Sequence, residues 1–261
     1  MDLKGKRVTV VGLGLSGRSL VTWLASRGAL VSISEAKPEV GFRSWLKENQ
    51  AHLKRTEFGG HTEGFLGASD RLVVSPGVPL SLPALQAATR QGIPVVGELE
   101  VALADCPARV VAVTGTNGKT TTTTLLGHLL TTAGLTATVA GNIGSPVSEV
   151  VDEIGAGHTL VLEVSSFQLD TAPSFHPAVA QLLNVTPDHL DRYPSFEAYA
   201  KSKALIFANQ VPSDVAVLNR GDARCAQLGP SLHARVRWFG TAGGPFEGAG
   251  VDAGWISLFN D

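Results

Sequence analysis

The sequence predicts an α/β protein with two domains, each built around a parallel sheet. Its length of 261 residues suits two domains that can each bury a core. Apolar strand candidates alternate with helix candidates along most of the chain. A strand, a glycine loop and a helix occur in that order twice, from residue 7 and again from residue 109. We therefore assign residues 1–97 to the first domain and residues 98–261 to the second.

The first domain opens with a strand, a glycine turn, a helix and a second strand, which is a βαβ unit. The same alternation continues to the end of the domain, so we expect a doubly wound sheet. Strands are predicted at 7–11, 30–34, 71–74 and 93–96, and helices at 17–26, 42–49 and 83–91.

The glycine turn in "VGLGLSG" has the spacing of a diphosphate site. Gly12, Gly14 and Gly17 follow a strand and open a helix, where a backbone without Cβ atoms can approach a pyrophosphate and free amides face its charge. Glu35 ends the next strand, from which an acid can reach a ribose hydroxyl. The pattern does not say which diphosphate is bound. The alternative is that the glycines serve only the tight turn and strand–helix packing.

The second domain restarts the alternation of strands and helices after a bridging helix at 98–104. Beyond Gly229 short apolar stretches stand among glycines, a texture that favours β-hairpins over helices. Strands are predicted at 109–113, 136–140, 159–163, 178–184 and 214–218.

A second phosphate loop is predicted in "TGTNGKTTTT", residues 114–123. Gly115 and Gly118 let the amides curl around an anion, while Lys119 supplies a positive charge to β- and γ-phosphates. Thr120 offers a hydroxyl to a magnesium ion. The strict pattern GxxxxGKS/T requires a glycine at the position where this chain has Val113, so the loop is a shorter variant of that pattern.

Two further strand ends bring polar groups to the same sheet edge. Glu163 ends an apolar strand and can hold magnesium directly or through water, or it can be a solvated strand-end acid. Asp188, His189 and Asp191 follow the next apolar strand. A lone histidine is more often structural than a ligand, so this run carries little weight by itself.

Composition excludes several classes of function. The formal net charge of −2 offers no electrostatic footprint for nucleic acid or an anionic membrane surface. Cys106 and Cys225 form no CxxC or Cys/His spacing, which argues against a disulfide framework and a structural zinc site. The apolar run before Gly12 is too short for a signal peptide or a membrane span. We expect a cytoplasmic protein without membrane insertion, and we favour a monomer.

Four segments together resemble a known family. "TGTNGKTTT", "GNIG", "EVSSFQLD" and "NVTPDHLDRY", in that order and spacing, resemble the Mur ligases, the ATP-dependent amino-acid-adding enzymes of peptidoglycan precursor synthesis. "SSFQLD", with "GLGLSG" and "SPGVP", is most similar to the branch that adds D-glutamate to UDP-N-acetylmuramoyl-L-alanine. The resemblance covers the chain to about Asn219.

The resemblance implies a fold, a reaction and a missing part. It implies a Rossmann-like domain that holds the UDP part of the substrate, and a P-loop NTPase-like domain that binds ATP. ATP would phosphorylate the substrate carboxylate, and the D-glutamate amine would attack the acyl phosphate. The amino-acid site would lie on a third domain, so we expect the natural chain to continue past Asp261 and this chain alone to be inactive as a ligase.

The resemblance also implies site residues and two magnesium sites. Glu35 stands where the family is expected to carry an aspartate. Catalytic roles would fall to Lys119, His189 and Lys203. The family's carbamylated lysine, four residues after the tyrosine of "FEAYAKSKALIF", corresponds to Lys203 and not Lys201, although from composition alone both are helix-surface lysines. Thr120 and Glu163 would bind the first metal, and His189 and Lys203 the second. The ATP site would comprise Gly115, Thr116, Asn117, Gly118, Lys119, Thr120 and Thr121. The UDP-substrate site would comprise Gly14, Leu15, Ser16, Glu35, Lys37, Ser75, Pro76, Gly77, Asn142 and Ser165.

Several alternatives remain open at this point. A non-catalytic nucleotide-sugar-binding or regulatory relative would keep both phosphate sites, and another Mur ligase would add a different amino acid. An NAD-dependent dehydrogenase would rest on the first motif alone and leave the second unexplained. The folyl-polyglutamate synthase relatives share the ATP loop but are not expected to carry the "GLGLSG" domain.

Overall fold

A computed structural model describes residues 1–241, 248–252 and 255–259. Its strands are β1 (Arg7–Val11), β2 (Leu30–Glu35), β3 (Leu53–Phe58), β4 (Arg71–Val74), β5 (Val95–Gly97), β6 (Arg109–Thr114), β7 (Ala137–Gly141), β8 (Thr159–Glu163), β9 (Val179–Leu182), β10 (Val215–Asn219), β11 (Arg235–Gly240), β12 (Gly248–Asp252) and β13 (Trp255–Phe259). Its α-helices are α1 (Leu15–Ser26), α2 (Arg43–Asn49), α3 (Glu63–Leu66), α4 (Pro83–Arg90), α5 (Glu98–Ala102), α6 (Lys119–Thr132), α7 (Val147–Val150), α8 (Ser166–Leu169), α9 (Phe196–Ala204) and α10 (Ala223–Leu228).

The first compact unit is a parallel sheet flanked by helices. Its strand order is β3-β2-β1-β4-β5, so β1 lies at the centre between β2 and β4. Val8, Val10 and Val11 of β1 are completely buried, as expected for a central parallel strand covered on both faces. The carboxyl ends of β1, β2 and β4 meet at one edge, which is where open α/β sheets bind ligands.

The second compact unit holds the second sheet. Among the described residues its strand order is β13-β12-β11-β10-β9-β6-β8-β7, and only β12 and β13 pair antiparallel. The strand β6 lies between β8 and β9, and α6 follows β6 after a short loop. The predicted fold class, a Rossmann-like parallel sheet followed by a P-loop NTPase-like α/β unit, is confirmed.

The boundaries of the first compact unit differ in detail from the predicted domain boundary at residue 97. The first unit comprises residues 1–106, 146–153 and 171–173. Glu98 at the start of α5 accepts hydrogen bonds from the backbone amide and the hydroxyl of Ser148, at 2.9 and 2.7 Å, which ties α7 to this unit. Gly97 donates its amide to the carbonyl of Thr171 at 2.7 Å, which ties in the third segment.

Two parts of the fold differ from the sequence prediction. Strand β3 and helix α3 were missed because "LKRTEF" is a charged, partly exposed strand without an apolar run. Of the hairpins expected beyond Gly229, the described residues contain the antiparallel pair β12–β13, whereas β11 pairs parallel with both β10 and β12. The other residues of that prediction, 242–247, 253–254 and 260–261, lie outside the described residues.

The described helices do not meet the requirements of a membrane span. None of them combines the length and the apolar character needed to cross a bilayer.

Candidate nucleotide sites

One cavity of the first unit brings together eight predicted site residues. It has a volume of about 500 Å³ and lies at the carboxyl edge of the sheet. Its lining includes every first-unit residue predicted for the UDP substrate, namely Gly14, Leu15, Ser16, Glu35, Lys37, Ser75, Pro76 and Gly77. The sequence did not single out other lining residues, which are Leu13, Ala36, His61, Val78, Pro79 and Leu82.

Two glycines of the first loop, Gly12 and Gly17, are needed for close packing. Gly12 has a φ of +87°, and a Cβ there would lie 2.7 Å from Cγ2 of Val78. A Cβ on Gly17 would overlap the carbonyl oxygen of Gly12. Ser75 donates its hydroxyl to that same carbonyl at 2.8 Å, which joins the loop after β4 to the loop after β1. The packing of the turn therefore requires Gly12 and Gly17, whereas a Cβ on Gly14 would meet no atom within 4 Å.

Glu35 braces the glycine loop in this structure. Its side chain is buried at 7% exposure. One carboxylate oxygen accepts the backbone amide of Leu13 at 2.6 Å, and the other accepts the amide of Lys37 at 2.9 Å. Both oxygens are thus engaged with backbone at the turn, whereas the sequence pattern suggested a ribose hydroxyl as the partner.

The second glycine loop joins β6 to α6. Gly118 precedes the helix with a φ of +84°, and a Cβ on Gly115 would lie 3.0 Å from Cβ of Leu183. The amides of Thr116 and Asn117 both donate to the side-chain oxygen of Asn184, at 3.1 and 2.9 Å. Asn184 returns a hydrogen bond from its amide nitrogen to the carbonyl of Asn117 at 3.0 Å.

Six of the seven predicted ATP residues, all except Gly115, fall into two groups. Thr116 and Asn117 shape the loop through Asn184. Gly118, Lys119, Thr120 and Thr121 stand at the start of the 14-residue helix α6, where the first amides have no partner within the helix. Amides at such a helix start favour the binding of a phosphate group. Asn184 lies within "NVTPDHLDRY", but no pattern in the sequence assigned it a role.

Two lysines donate to one carbonyl of this loop. Lys119 Nζ lies 3.0 Å from the carbonyl oxygen of Gly115 and 2.9 Å from that of Thr116. Lys203 Nζ lies 2.8 Å from the same Gly115 oxygen, and this side chain is only 2% exposed. Burial, and then the nearby Lys119 ammonium, lower the pKa of Lys203 to about 7. Its neighbour Lys201 is exposed.

Thr120 and Glu163 lie side by side, as the first predicted magnesium site requires. Glu163 is 1% exposed and is paired in register with Val113 of β6 and Gly141 of β7. The hydroxyl of Thr120 donates to one carboxylate oxygen at 2.7 Å, and the side-chain amide of Asn142 donates to the other at 2.7 Å. A hydroxyl and a carboxylate at this distance fit a hard cation.

His189 belongs to an aromatic cluster above the same loop. It has a φ of +51°, which is uncommon outside glycine, and its amide donates to the carboxylate of Asp188 at 2.8 Å. Its ring centroid lies 5.9 Å from that of Tyr199, and Lys203 Nζ lies 4.7 Å from the Tyr199 centroid. Tyr199 thus lies against both residues of the predicted second metal site. Its hydroxyl is 3.3 Å from that of Thr116.

The remaining predicted residue of the second unit, Ser165, caps helix α8. It forms a capping box with Gln168, and its hydroxyl accepts the Gln168 amide at 3.3 Å. Over the described parts of the chain, no group of three or more His, Cys, Asp or Glu side chains could together hold a metal ion. Magnesium commonly takes few protein ligands and completes its shell with phosphate oxygens and water, so Thr120 and Glu163 still fit it.

Comparison with protein families gives matches over both units. A model described as the Mur ligase middle domain matches residues 113–252. A model described as the Mur ligase MurD-like N-terminal domain matches residues 6–97. The chain belongs to the Mur ligase family. The resemblance seen in the sequence motifs is thereby confirmed.

Two curated relatives of this Mur ligase chain share one name. The UDP-N-acetylmuramoylalanine–D-glutamate ligase of Koribacter versatilis is 44% identical over 239 residues, which cover 92% of this chain and 53% of that protein. The protein of the same name from Desulfatibacillum aliphaticivorans is 40% identical over 260 residues, which cover 99% of this chain and 58% of that protein. The chain therefore spans a little over half the length of the curated relatives it matches.

Solved structures of Mur ligases share the fold. The UDP-N-acetylmuramate:L-alanyl-gamma-D-glutamyl-meso-diaminopimelate ligase from Neisseria meningitides matches with a TM-score of 0.62 and 18% identity, over 97% of this chain and 84% of that chain. The UDP-N-acetylmuramate-alanine ligase of Thermotoga maritima matches with a TM-score of 0.51 and 22% identity, over 89% of this chain and 52% of that chain. At these identities the likeness concerns the fold alone.

Proposed function

We propose that this chain is the UDP-substrate-binding and ATP-binding part of a ligase that adds D-glutamate to UDP-N-acetylmuramoyl-L-alanine. The observation that carries the proposal is the 40–44% identity to relatives named for that activity over nearly the whole chain. The geometry supports it, because each unit carries its own glycine loop at the carboxyl edge of a parallel sheet.

The first unit would hold the UDP part of the substrate in its 500 Å³ cavity. The helix α1 begins at Leu15, and its first amides would face the diphosphate. Lys37 lines the same cavity and would add a positive charge. Asn142 and Ser165, which the resemblance assigns to the muramoyl end, are engaged with Glu163 and Gln168, so a substrate contact would have to be added to those bonds.

The second unit would bind ATP and support phosphoryl transfer to the substrate carboxylate. The amides of residues 118–121 would receive the phosphates, with the Lys119 ammonium beside them. Thr120 and Glu163 would hold a magnesium ion, which when bound supplies charge neutralisation to the transferring group. Such a transfer needs positioned charge more than covalent help from the protein. The acyl phosphate would then accept the D-glutamate amine, with release of phosphate.

Lys203 would carry a carbamate in this proposal. With its pKa lowered to about 7, a large fraction is the neutral amine at neutral pH. The amine nitrogen would attack the carbon of CO₂, and one N–H proton would leave to solvent, giving an anionic carbamate. An anion at this buried position would reverse the local charge beside Lys119 and suit a second magnesium ion near His189.

The carbamate is tested by nuclear magnetic resonance with ¹³C-bicarbonate. We expect a carbamate carbon signal in the unaltered chain and in Lys201→Ala, because the exposed Lys201 is the matched control. The signal should be absent in Lys203→Ala. No signal in the unaltered chain, or a signal that persists in Lys203→Ala, would contradict the assignment.

The wider proposal is tested by calorimetry on this chain. We expect UDP-N-acetylmuramoyl-L-alanine to bind, and Lys119→Ala to lose ATP binding while keeping the affinity for the UDP substrate. Amide formation is followed by mass spectrometry with the natural gene product, ATP, magnesium and D-glutamate. Tight NADH binding without UDP-substrate binding would revive the dehydrogenase alternative. Binding of both substrates without any amide product would favour a non-catalytic relative.

The cysteines bear on the cellular compartment of the protein. Cys106 and Cys225 are both free thiols, which fits a reducing cytoplasm. We propose a cytoplasmic monomer.

A further inference from the structure

His61 is held at the wall of the first-unit cavity by a chain of hydrogen bonds. The ring lines the cavity and is half-buried. Its Nδ1 lies 2.7 Å from the hydroxyl oxygen of Ser34, and that hydroxyl lies 2.7 Å from a carboxylate oxygen of Glu57. Thr62 donates its amide to the same Glu57 oxygen at 3.1 Å, so the carboxylate is itself fixed.

This chain of bonds determines the tautomer of His61. Ser34 has a single hydroxyl proton, and its neighbours Glu57 and the carbonyl of Gly60 are acceptors only. Because the carboxylate cannot donate, the contact between Ser34 and Glu57 uses the hydroxyl proton. The Ser34 oxygen must then accept a hydrogen bond from the His61 ring. Nδ1 of His61 consequently carries a proton. In the neutral ring this leaves Nε2 as a bare acceptor.

The neutral ring is the form that the surroundings favour. Burial lowers the pKa of His61, and this effect outweighs the nearby carboxylates of Glu35 and Glu57, which raise it. No hydrogen bond within the described residues occupies Nε2. With Nδ1 committed to Ser34, Nε2 is the polar atom that the ring can offer to a ligand in the cavity.

The position of His61 in the sheet indicates which part of a ligand it would meet. The glycine loop after β1 is the place for a diphosphate, and the acid at the end of β2 marks the nucleoside side of such a site. His61 follows β3, one strand further in the same direction. The turn before it packs on the end of β2, where the Gly59 amide donates to the carbonyl of Lys37 at 3.2 Å.

We propose that Nε2 of His61 accepts the N3–H of a uracil base in this cavity and so selects uridine over cytidine nucleotides. Uracil presents an N–H donor at N3, whereas cytosine presents a bare acceptor there. Two acceptors facing one another lose the hydrogen bond and leave both atoms desolvated. A site built to receive a donor therefore rejects the analogue that lacks it. This inference rests on the proposed function, because it assumes a UDP-linked ligand in the cavity.

The selectivity is measured by calorimetry of the whole chain with UDP, CDP and N3-methyl-UDP as probes. We expect UDP to bind about tenfold tighter than either analogue, which corresponds to one lost hydrogen bond to a buried acceptor. His61→Phe keeps a ring of similar size without nitrogen, and its preference for UDP should fall to about twofold or less. The matched control is His52→Phe, at an exposed histidine outside the cavity lining, which should keep the full preference.

A second measurement does not depend on any variant. Nitrogen-15 resonance of His61 in the unaltered chain should report the Nδ1–H tautomer, and the Nε2 signal should shift on addition of UDP but not of CDP. An Nε2–H tautomer would overturn the inference. The inference would also be overturned if the unaltered chain bound UDP and N3-methyl-UDP with equal affinity. It would be overturned as well if His61→Phe kept the full preference for UDP. Failure of UDP to bind at all would instead overturn the proposed function of the cavity.

Discussion

Replacing Glu35 with alanine separates a structural role from a role in sugar recognition. In the structure its carboxylate accepts two backbone amides, those of Leu13 and Lys37, at 2.6 and 2.9 Å. A ribose role would add a hydroxyl as a second donor to one of these oxygens. The two roles predict different results when both the stability of the first unit and the preference for the ribose hydroxyl are measured.

The expected loss of stability follows from these two bonds. Hydrogen bonds to charged groups contribute about 1.5–3 kcal/mol each, so two of them set an upper limit of about 3–6 kcal/mol. Water in the adjoining cavity can replace part of this, because the lost acceptor lies at the cavity wall. We therefore expect Glu35→Ala to lower the free energy of unfolding of the first unit by about 1–3 kcal/mol. Glu35→Gln keeps one acceptor oxygen, so its free energy of unfolding should lie between those of the unaltered chain and Glu35→Ala.

Urea unfolding followed by tryptophan fluorescence gives this number. Trp23 and Trp45 report on the first unit, and a separate probe of this unit is needed because a chain with two units is not expected to unfold in one step. Glu39→Ala, at an exposed acid four residues further on, is the control and should leave the transition unchanged.

Binding of UDP and 2′-deoxy-UDP completes the experiment. If Glu35 braces the loop, Glu35→Ala weakens both ligands by the same factor, because the amides that face the diphosphate are displaced. If Glu35 binds the ribose, the unaltered chain prefers UDP and the variant loses only that preference. An unfolding free energy of Glu35→Ala within about 0.5 kcal/mol of the unaltered chain, together with a lost ribose preference, would refute the reasoning.

Two further substitutions test the packing of each unit. Gly127→Ala in α6 should lower the unfolding free energy of the second unit by about 1–3 kcal/mol, although alanine usually favours a helix, because the new Cβ would overlap Cγ2 of Val139. Adding Val139→Ala should recover part of the loss in thermal unfolding, and an unchanged midpoint in the single variant would contradict the clash. Burial raises the pKa of Glu98 above its unfolded value of about 4.3, so its contribution to stability is greatest below that pH and is lost as pH rises through the folded pKa. Glu98→Gln should remove this decline in urea unfolding between pH 4 and 8, and an unaltered pH profile would contradict it.

Local patterns predicted the two glycine loops and most of the residues that line the cavity. A strand, glycines at short spacing and a helix start are contiguous in sequence, so the loops at residues 12–17 and 115–118 can be predicted without knowledge of the rest. The remaining cavity residues follow from a general rule, since the carboxyl ends of parallel strands meet at one edge. This rule is sufficient to place Glu35 and Ser75 near the same loop, and both line the cavity.

Contacts between distant segments could not be predicted in this way. Asn184 reaches Asn117 across 67 positions, and Ser148 reaches Glu98 across 50. His61 carries no sequence signal because it follows the charged strand β3, which has no apolar pattern to mark it. Tyr199 served in the sequence only to locate Lys203, and nothing in the pattern predicted that its ring contacts both Lys203 and His189. In each case the partner is chosen by the fold and not by spacing.

Hydrogen bonds around Gly115 hold the predicted ATP loop in its conformation. Lys119 uses two of its three donors on the carbonyls of Gly115 and Thr116, which holds its ammonium over the loop and leaves a third donor for an incoming phosphate. The buried Lys203 donates to Gly115 as well, so the carbonyl is attracted by two amines at once. The carboxylate of the predicted first metal site, Glu163, is already engaged by Thr120 and Asn142. The positive charge that the predicted loop would offer to a phosphate is therefore the Lys119 ammonium together with the first amides of α6.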